Sequence, residues 1–460
     1  MATLPLLRGK SISLEDALAD DDNILHRLDY PQKQQDFWSY LVSIRADIEA
    51  TVAFHLSARY CRVDEESNWM FGSYNVCIPV WINPPSDKRV LVRIPLPYKI
   101  GEETKPGNVD EKLRCETATY IWIRQNCPSV PIPLLHGFAF PDGQTVGYMI
   151  ISYIESGRML SDSWAVMLQD TARRQTLFND LAKITLSLNR IQLPRTGSLT
   201  MTNEGVIRLT NRPLTLRLQT FENEGIPTIP RDSTYESVEP YLLDLLQCHD
   251  NRIHYQPNAI HDVKDGQEQL AALTMMRGLL PRFVSRQHRR GPFLLTLTDL
   301  HPSNIFVDEE WHITSLIDLE WACAFPIELQ TPPYWLTGRP IDDIEHGEHL
   351  QMFEKVVIEY IDAFKKQEMI QNSPISYAQV LRECWNRGSF WYFQAVHSPK
   401  GLLRVFNEHV QRRFCEEHCT QSIFDRTVSP YWCVDAGSLI EQKVKEEEDY
   451  RDRLRKRFAS

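Results

Sequence analysis

Residues 298–308 read TDLHPSNIFVD. An acid, Asp299, is followed five positions later by Asn304, which opens the apolar run Ile305-Phe306-Val307. Pro302 has no N–H and a fixed φ, so DLHPSN reads as loop rather than as the interior of a helix or strand. FLLTLT (293–298) is a short strand leading into that loop, DEEW (308–311) is a turn, and HITSLIDL (312–319) is a returning strand. A hairpin sets the ends of its two strands side by side. Asn304 enters the first strand and Asp318 leaves the second, so both side chains meet at one rim, with Asp299 just outside it. Two oxygen donors on an open edge suit Mg²⁺, which keeps waters, binds phosphates and rarely takes an all-protein cage. A third carboxylate not needed by the metal can accept a proton from an attacking hydroxyl. Asp and Asn at strand ends are also ordinary turn residues, and the D-x4-N spacing alone is no more than that. The surrounding chain decides between the two readings.

Upstream, GSYNVCIPVWI (72–82) and KRVLVRIPL (88–96) are strands around the turn NPPSD. DEKLRCETATYIWIRQNC (110–127) is a helix, and PIPLLHGFAF (131–140) and TVGYMIISYI (145–154) are two more strands around PDGQ. Residues 34–57, with Phe37, Leu41, Ile44, Ile48 and Val52 at helical spacing, predict one amphipathic helix. Beyond ESGRML the pattern turns helical, as in 173–193, 267–280 and most of 343–427, where Trp385, Phe390, Trp391 and Phe393 are candidate core. The expected organisation is an α+β protein in three parts. Residues 1–69 form a helical extension and 70–154 a small antiparallel-sheet lobe with one main helix. Residues 155–460 form a larger, mostly helical lobe, with a peripheral insertion at 225–290 suggested by the Pro, Asp, His and Asn content of 225–265.

An acid, an Asn five positions later and a metal-binding acid after the next hairpin is the arrangement of phosphoryl-transfer sites in kinases. The stretch TDLHPSNIFVDEEWHITSLIDLEWACAFPIEL closely resembles the catalytic segment of the aminoglycoside phosphotransferase family, small-molecule kinases related to choline kinases. It is most similar to the fungal branch, in which DLHxSNIFVD, IDLEWA and PPYWLTGR recur, and the order of segments is similar over about residues 70–340. The resemblance implies a two-lobed protein-kinase-like fold binding ATP and Mg²⁺ between the lobes, with a small-molecule hydroxyl as acceptor. It implies Asp299 as catalytic base and Asn304 and Asp318 as Mg²⁺ ligands. Glu320 and Trp321 continue the metal segment, and His301 is read as a loop-packing residue.

Such a site needs a cation near the phosphates, steadied by a helix carboxylate. Arg93 sits mid-strand in VLVRIP, Glu116 lies on the following helix, and Lys88 and Lys99 are the competing cations. An exposed strand residue and a solvated helix acid are the plainer readings of Arg93 and Glu116. FGSYN (71–75) has a single Gly, a weak signal for a phosphate loop, in which Ser73 and Tyr74 would offer backbone N–H groups. MIISYIESG (149–157) would join the lobes, with backbone groups of Ile151, Ser152 and Tyr153 facing adenine. One departure stands out: Leu297 occupies a position where the family usually has His. The two functional readings are therefore an active small-molecule kinase and a kinase-like scaffold that binds nucleotide or a protein partner without turnover. A rim formed by Glu320 and Glu328 with Tyr334 and Trp335 is the candidate acceptor wall, although core packing of PPYWL explains the aromatics equally.

Composition is that of a soluble globular protein, at 42% apolar and 24% charged residues over 460 positions. A net charge of −11 argues against a nucleic-acid surface. No apolar run approaches the roughly 18 residues that span a bilayer, and no secretory signal pattern opens the chain, so a cytoplasmic location is expected. Ten scattered cysteines without a C-x-x-C pair predict free thiols. CEEHC, with Cys415, His418 and Cys419, lacks the second ligand pair of a zinc site. The acid–base mixture at 445–458, with Glu447 four before Arg451, predicts a solvated terminal helix.

Overall fold

The computed structural model describes residues 3–85, 88–142, 146–166, 169–373, 375–414 and 421–459. Cys415, His418 and Cys419 lie outside them. Two helices, α1 (Tyr30–Ser43) and α2 (Arg45–Leu56), precede a six-stranded antiparallel sheet. Its strands are β1 (Cys61–Val63), β2 (Met70–Phe71), β3 (Asn75–Ile82), β4 (Arg89–Pro95), β5 (Leu135–Ala139) and β6 (Tyr148–Ser152). The order across the sheet is β1-β3-β4-β6-β5, with β2 against β3. Val76, Ile78 and Val80 alternate with Val90, Val92 and Ile94 on one face, where Leu41, Ile48 and Val52 of α1 and α2 cover them. The expected single helix over 34–57 is broken at Ile44, where ψ rises to 16°. The Ile44 N–H still bonds the Tyr40 carbonyl at 3.2 Å, so the bend turns the chain without orphaning a donor and keeps both apolar stripes on the twisted sheet. Because β1 pairs with β3, the segment before residue 70 supplies a strand as well as helices.

Helix α3 (Asn108–Asn126) lies against the other face and is buried on nearly every side, its polar residues Asn108, Glu111, Lys112 and Glu116 included. Downstream come β7 (Arg158–Met159), α4 (Thr171–Leu188), α5 (Leu216–Asn223), α6 (Val238–Tyr255), α7 (Val263–Phe283) and four strands. Strands β8 (Phe293–Leu297) and β11 (Ala322–Pro326) pair antiparallel, enclosing the hairpin of β9 (Ile305–Val307) and β10 (Ile313–Leu316). β7 joins this hairpin by pairing with β9. Gly157 makes that approach possible: φ is 87°, and a Cβ there would lie 2.7 Å from Thr314 Oγ1. Helices α8 (Glu348–Gln371), α9 (Tyr377–Arg387), α10 (Ser389–His397) and α11 (Ala436–Ala459) complete the larger lobe.

The 225–290 segment is not peripheral. Val238, Tyr241, Leu242, Leu245 and Leu246 recur at helical spacing on α6 and sit in the main core with Leu270, Leu273 and Met276 of α7. Nor is the terminal helix simply solvated. Ala436, Ile440, Lys443, Glu447, Tyr450, Leu454 and Phe458 form one buried stripe along α11, while the Glu447–Arg451 pair forms at 2.7 Å. Tyr450, Leu454 and Phe458 share a cluster with Ile12, Ala17, Ile24 and Leu28, so the N-terminal arm is packed under the last helix. The eight described cysteines are all free. No helix among the described residues is long and apolar enough to cross a membrane.

His261 locks this arm in place, its ring nitrogens 3.0 Å from Asp21 and 3.2 Å from Glu447. Hydrogen bonds to those two carboxylates raise its pKa to about 10. A folded pKa above the ordinary value of about 6.5 means that its contribution is complete below that pH and is lost as pH climbs through the folded value. The melting-temperature deficit of His261→Gln is therefore expected to be largest near pH 6 and to shrink toward pH 10. Melts of both proteins at pH 6, 8 and 10 measure it, and a deficit independent of pH contradicts the assignment.

Candidate active site

The loop between β8 and β9 folds around its own polar groups. His301 Nδ1 accepts the Ser303 N–H at 3.2 Å and the His301 carbonyl accepts the Asn304 N–H at 2.8 Å, which makes His301 the cap of a tight turn. Asn304 Nδ2 donates to the Asp299 carbonyl at 2.9 Å, and its own carbonyl accepts the Ile317 N–H at 3.0 Å. That second bond brings Asp318 beside Asn304. Asp318 has φ 57°, the left-handed region that Asp tolerates better than most side chains. Asp299, Asn304 and Asp318 thus converge on one rim. Burial pushes the Asp299 pKa up to about 7, helped by the neighbouring charges of Glu320 and Asp318.

Behind this rim lies a buried ion cluster. Arg93, in the middle of β4 and paired with Cys77 and Met149, reaches Asp318 at 2.5 Å, Glu320 at 2.9 Å and Glu116 at 3.1 Å. Lys112, one turn before Glu116 on α3, is fully buried and contacts Glu320 at 2.9 Å and Glu116 at 3.5 Å. Its Nζ also donates to Asn75 Oδ1 at 2.7 Å, and Asn75 Nδ2 donates to Glu320 at 2.8 Å. Burial lifts the Glu116 pKa to about 6 against the pull of Arg93 and Lys112. In Glu320 the same two cations outweigh burial and hold the pKa below its ordinary value. Two cations face three carboxylates, so the cluster carries excess negative charge toward the rim. Sequence reasoning had weighed Lys88 and Lys99 as the alternatives to Arg93. Lys88 is exposed before β4, and Lys99 lies over the Tyr30 ring at 4.3 Å. Lys112 was missed, although its spacing to Glu116 is the signature of a helical ion pair.

The remaining candidates are distributed around the cluster. Ser73 is exposed and its Oγ accepts from Arg8 at 3.4 Å, while Tyr74 stacks edge-on against Trp321 at 5.5 Å. Asn75 closes the same turn, so the FGSYN loop is tied to the ion cluster by the residue after Tyr74. Ile151 lies inside the sheet, paired with Leu91 on one side and Leu135 on the other, so it is a core strand residue and not part of an open connector. Tyr153 is the first residue beyond β6 and carries the Arg89 guanidinium 3.7 Å above its ring. Leu297 pairs with Ala322 across β8 and β11, and Thr298 Oγ1 donates to the Trp321 carbonyl at 2.6 Å. These two contacts join the Asp299 loop to the Asp318 segment where the usual His is absent. The expected acidic acceptor rim is not formed: Glu320 belongs to the ion cluster, and Glu328 is buried, accepting the Ser285 N–H at 2.7 Å.

Asp299 opens instead into a cavity of about 590 Å³ within the larger lobe, lined in part by Tyr334 and Trp335. Trp335 is fixed there by donating Nε1 to the Leu300 carbonyl at 2.7 Å. Asp21, Asp22 and Arg27 of the N-terminal arm complete the opposite side. That arm is held by the Asp21 carbonyl accepting from Gln256 at 2.8 Å, the Asp22 carbonyl from Asn258 at 3.0 Å, and the Ile24 N–H donating to Tyr450 at 2.7 Å.

A family model described as the phosphotransferase enzyme family matches residues 80–327, just over half of the chain. The chain belongs to this family. The matched span of this phosphotransferase-family member runs from within β3 to just past β11, and takes in Arg93, Glu116, Ile151, Tyr153, Asp299, Asn304 and Asp318. Ser73, Tyr74 and the N-terminal arm lie outside it. No curated protein matches the chain. Among solved structures it is similar to aminoglycoside phosphotransferase APH(4)-Ia in a ternary complex with ADP and hygromycin B, at 11% identity over 85% of this chain and 98% of that one, with a TM-score of 0.42. It is also similar to the GDP complex of aminoglycoside 2'-phosphotransferase-IIIa, at 12% identity over 88% and 98% with a TM-score of 0.41. A macrolide 2'-phosphotransferase type I matches at 9% identity over 83% and 96%, with a TM-score of 0.35. At such distances none of them bears on the substrate of this chain.

Proposed function

We propose that this family member transfers the γ-phosphoryl group of ATP to a hydroxyl of a small molecule held in the cavity beside Asp299. The observation that carries the reading is the meeting of Asp299, Asn304 and Asp318 at one rim, with Asp299 also lining that cavity. Hard oxygen donors backed by a cluster with excess negative charge fit Mg²⁺, and Asn304 and Asp318 are the residues that would hold it. When bound, the ion would neutralise charge on the transferred and bridging phosphate oxygens. Arg93, which contacts Asp318 beside the rim, is the cation that would face the phosphates with its guanidinium fork. Backbone groups at Tyr153 would take adenine, and those of Ser73 and Tyr74 would approach the phosphates. Asp299 accepts the proton of the attacking hydroxyl, and a pKa near neutrality suits a general base.

One observation favours the scaffold reading: Arg93 is already satisfied by three carboxylates, so in this state it presents no unpaired charge to a phosphate. Incubating the protein with Mg²⁺, γ-labelled ATP and a metabolite extract separates the two. Label passing to an organic product in the wild type but not in Asp299→Asn supports the kinase. A melting shift with Mg-ATP but no Asp299-dependent turnover supports the scaffold.

A further inference from the structure

The cavity beside Asp299 is lined along one wall by a single face of α5. Arg217, Thr220 and Phe221 of that helix line it together with Glu224, the residue that caps its C-terminus, at positions i, i+3, i+4 and i+7. The opposite face of that helix is committed elsewhere. Gln219 donates to the Ile100 carbonyl, and Glu222 is held by Arg212 and Lys105. The charges facing the cavity divide into those already partnered and those that are not. Asp22 takes Arg27 and Lys400, Asp21 takes His261, and Arg252 donates to Gln269. Among the described residues lining the cavity, Arg217 is the cation with no hydrogen bond or ion pair, and Glu224 and Asp342 are acids with none.

Arg217 stands at the catalytic end of the wall. Its charge is felt by Asp299, Tyr74 and Tyr334. Thr215, two residues earlier and only 3% exposed, also lines the cavity, and its hydroxyl is buried without a partner. A guanidinium fork with no partner, facing a cavity, is a receptor for a carboxylate or a phosphate. Glu224 stands two turns away, about 10 Å along the axis at 1.5 Å per residue. Its charged neighbours are Asp22, Arg27, Lys400 and Arg252. Arg27 and Lys400 are spent on Asp22 and Arg252 donates to Gln269, so none of these cations pairs with Glu224, which leaves its carboxylate open to a donor cation.

We propose that the acceptor is a zwitterionic hydroxy compound whose acidic group sits on Arg217 next to the hydroxyl presented to Asp299, and whose amine sits at Glu224. This rests on the phosphotransferase reading and narrows it. A purely cationic amino-alcohol would leave Arg217 unpaired beside the reacting hydroxyl, and a neutral sugar would leave both ends unpaired, at the desolvation cost of each.

The test uses the full chain with Mg²⁺, γ-labelled ATP and a metabolite extract. The labelled product is isolated, dephosphorylated, and the regenerated acceptor characterised by mass and by retention on anion and cation exchangers. An acceptor carrying both an acid and an amine is expected. Arg217→Met and Glu224→Gln should each raise KM for that acceptor at least tenfold while KM for ATP changes less than twofold, and Arg217→Lys should recover part of the loss. An acceptor lacking either charged group overturns the proposal and leaves the kinase reading intact. So does an Arg217→Met variant whose KM for ATP rises in step with that for the acceptor, because Arg217 would then serve the nucleotide. Absence of any Asp299-dependent ATP turnover removes the kinase reading itself, and this proposal with it.

Discussion

Asp299→Asn is expected to slow phosphoryl transfer by about 10²–10⁴-fold, the range lost with a general base, while Mg-nucleotide still binds. Asn keeps the size and polarity of the side chain but cannot take up a proton. The groups that would hold nucleotide and metal are untouched: Arg93 contacts Asp318, Glu320 and Glu116 rather than Asp299, and Asn304 is tied to the Asp299 carbonyl, which the substitution retains. Single-turnover transfer from γ-labelled ATP reads the chemical step, and calorimetric titration with Mg-nucleotide reads binding. A variant that transfers at the wild-type rate would remove Asp299 from the chemistry. One that loses nucleotide binding as well would make it a ligand rather than a base.

Lys112→Met is expected to destabilise the fold by about 3–5 kcal/mol, the cost of stripping one partner from a buried ion cluster. Lys112 is fully buried and bridges Glu116, Glu320 and Asn75. Without it Arg93 alone faces three carboxylates, and Asn75 Oδ1 loses its donor. Adding Glu116→Gln removes one of the uncompensated charges and should restore part of the loss, whereas Glu116→Gln alone should cost less than Lys112→Met. Guanidinium unfolding of the three variants measures this. A Lys112→Met protein within about 1 kcal/mol of wild type would mean that the cluster is not held by its charges in the way these contacts imply.

What could be read from the sequence follows the range of the interactions involved. Asp299, Asn304 and Asp318 lie within one hairpin, so local spacing was enough to bring them to one rim. Arg93 was legible because a phosphoryl-transfer site needs a cation on a strand of the small sheet, and VLVRIP offers one mid-strand. Lys112 was not, because a Lys on a helix with several charges reads as solvated, and only the sheet and the Glu320 segment closing over α3 bury it. Ile151 and Ser152 both belong to β6 and the connector begins at Tyr153, a boundary the sequence does not mark because a strand's last ladder bond has no side-chain signature. The 225–290 segment was misjudged because its loops carry the Pro and Asn that catch the eye. The apolar stripe of α6, from Val238 to Leu246, was there to be counted. The arm reaching the cavity beside Asp299 could not be read at all, for it depends on partners such as Gln256, Asn258 and Tyr450 hundreds of positions away.

The packing of that arm under α11 has a consequence for biosynthesis. Ile24 and the tyrosine that holds it are 426 positions apart, and ribosomes add about 5–20 residues each second. For tens of seconds after residues 12–28 have been made, the surface on which they dock does not yet exist. A polypeptide released or nicked ahead of Tyr450 would keep the whole hairpin that carries Asp299 and Asp318, but the arm bearing Asp21, Asp22 and Arg27 would lose the apolar face of α11 and be held by Gln256, Asn258, His261 and Lys400 alone. The wall of the cavity formed by residues 21–27 is thus completed late, by the last helix to be made.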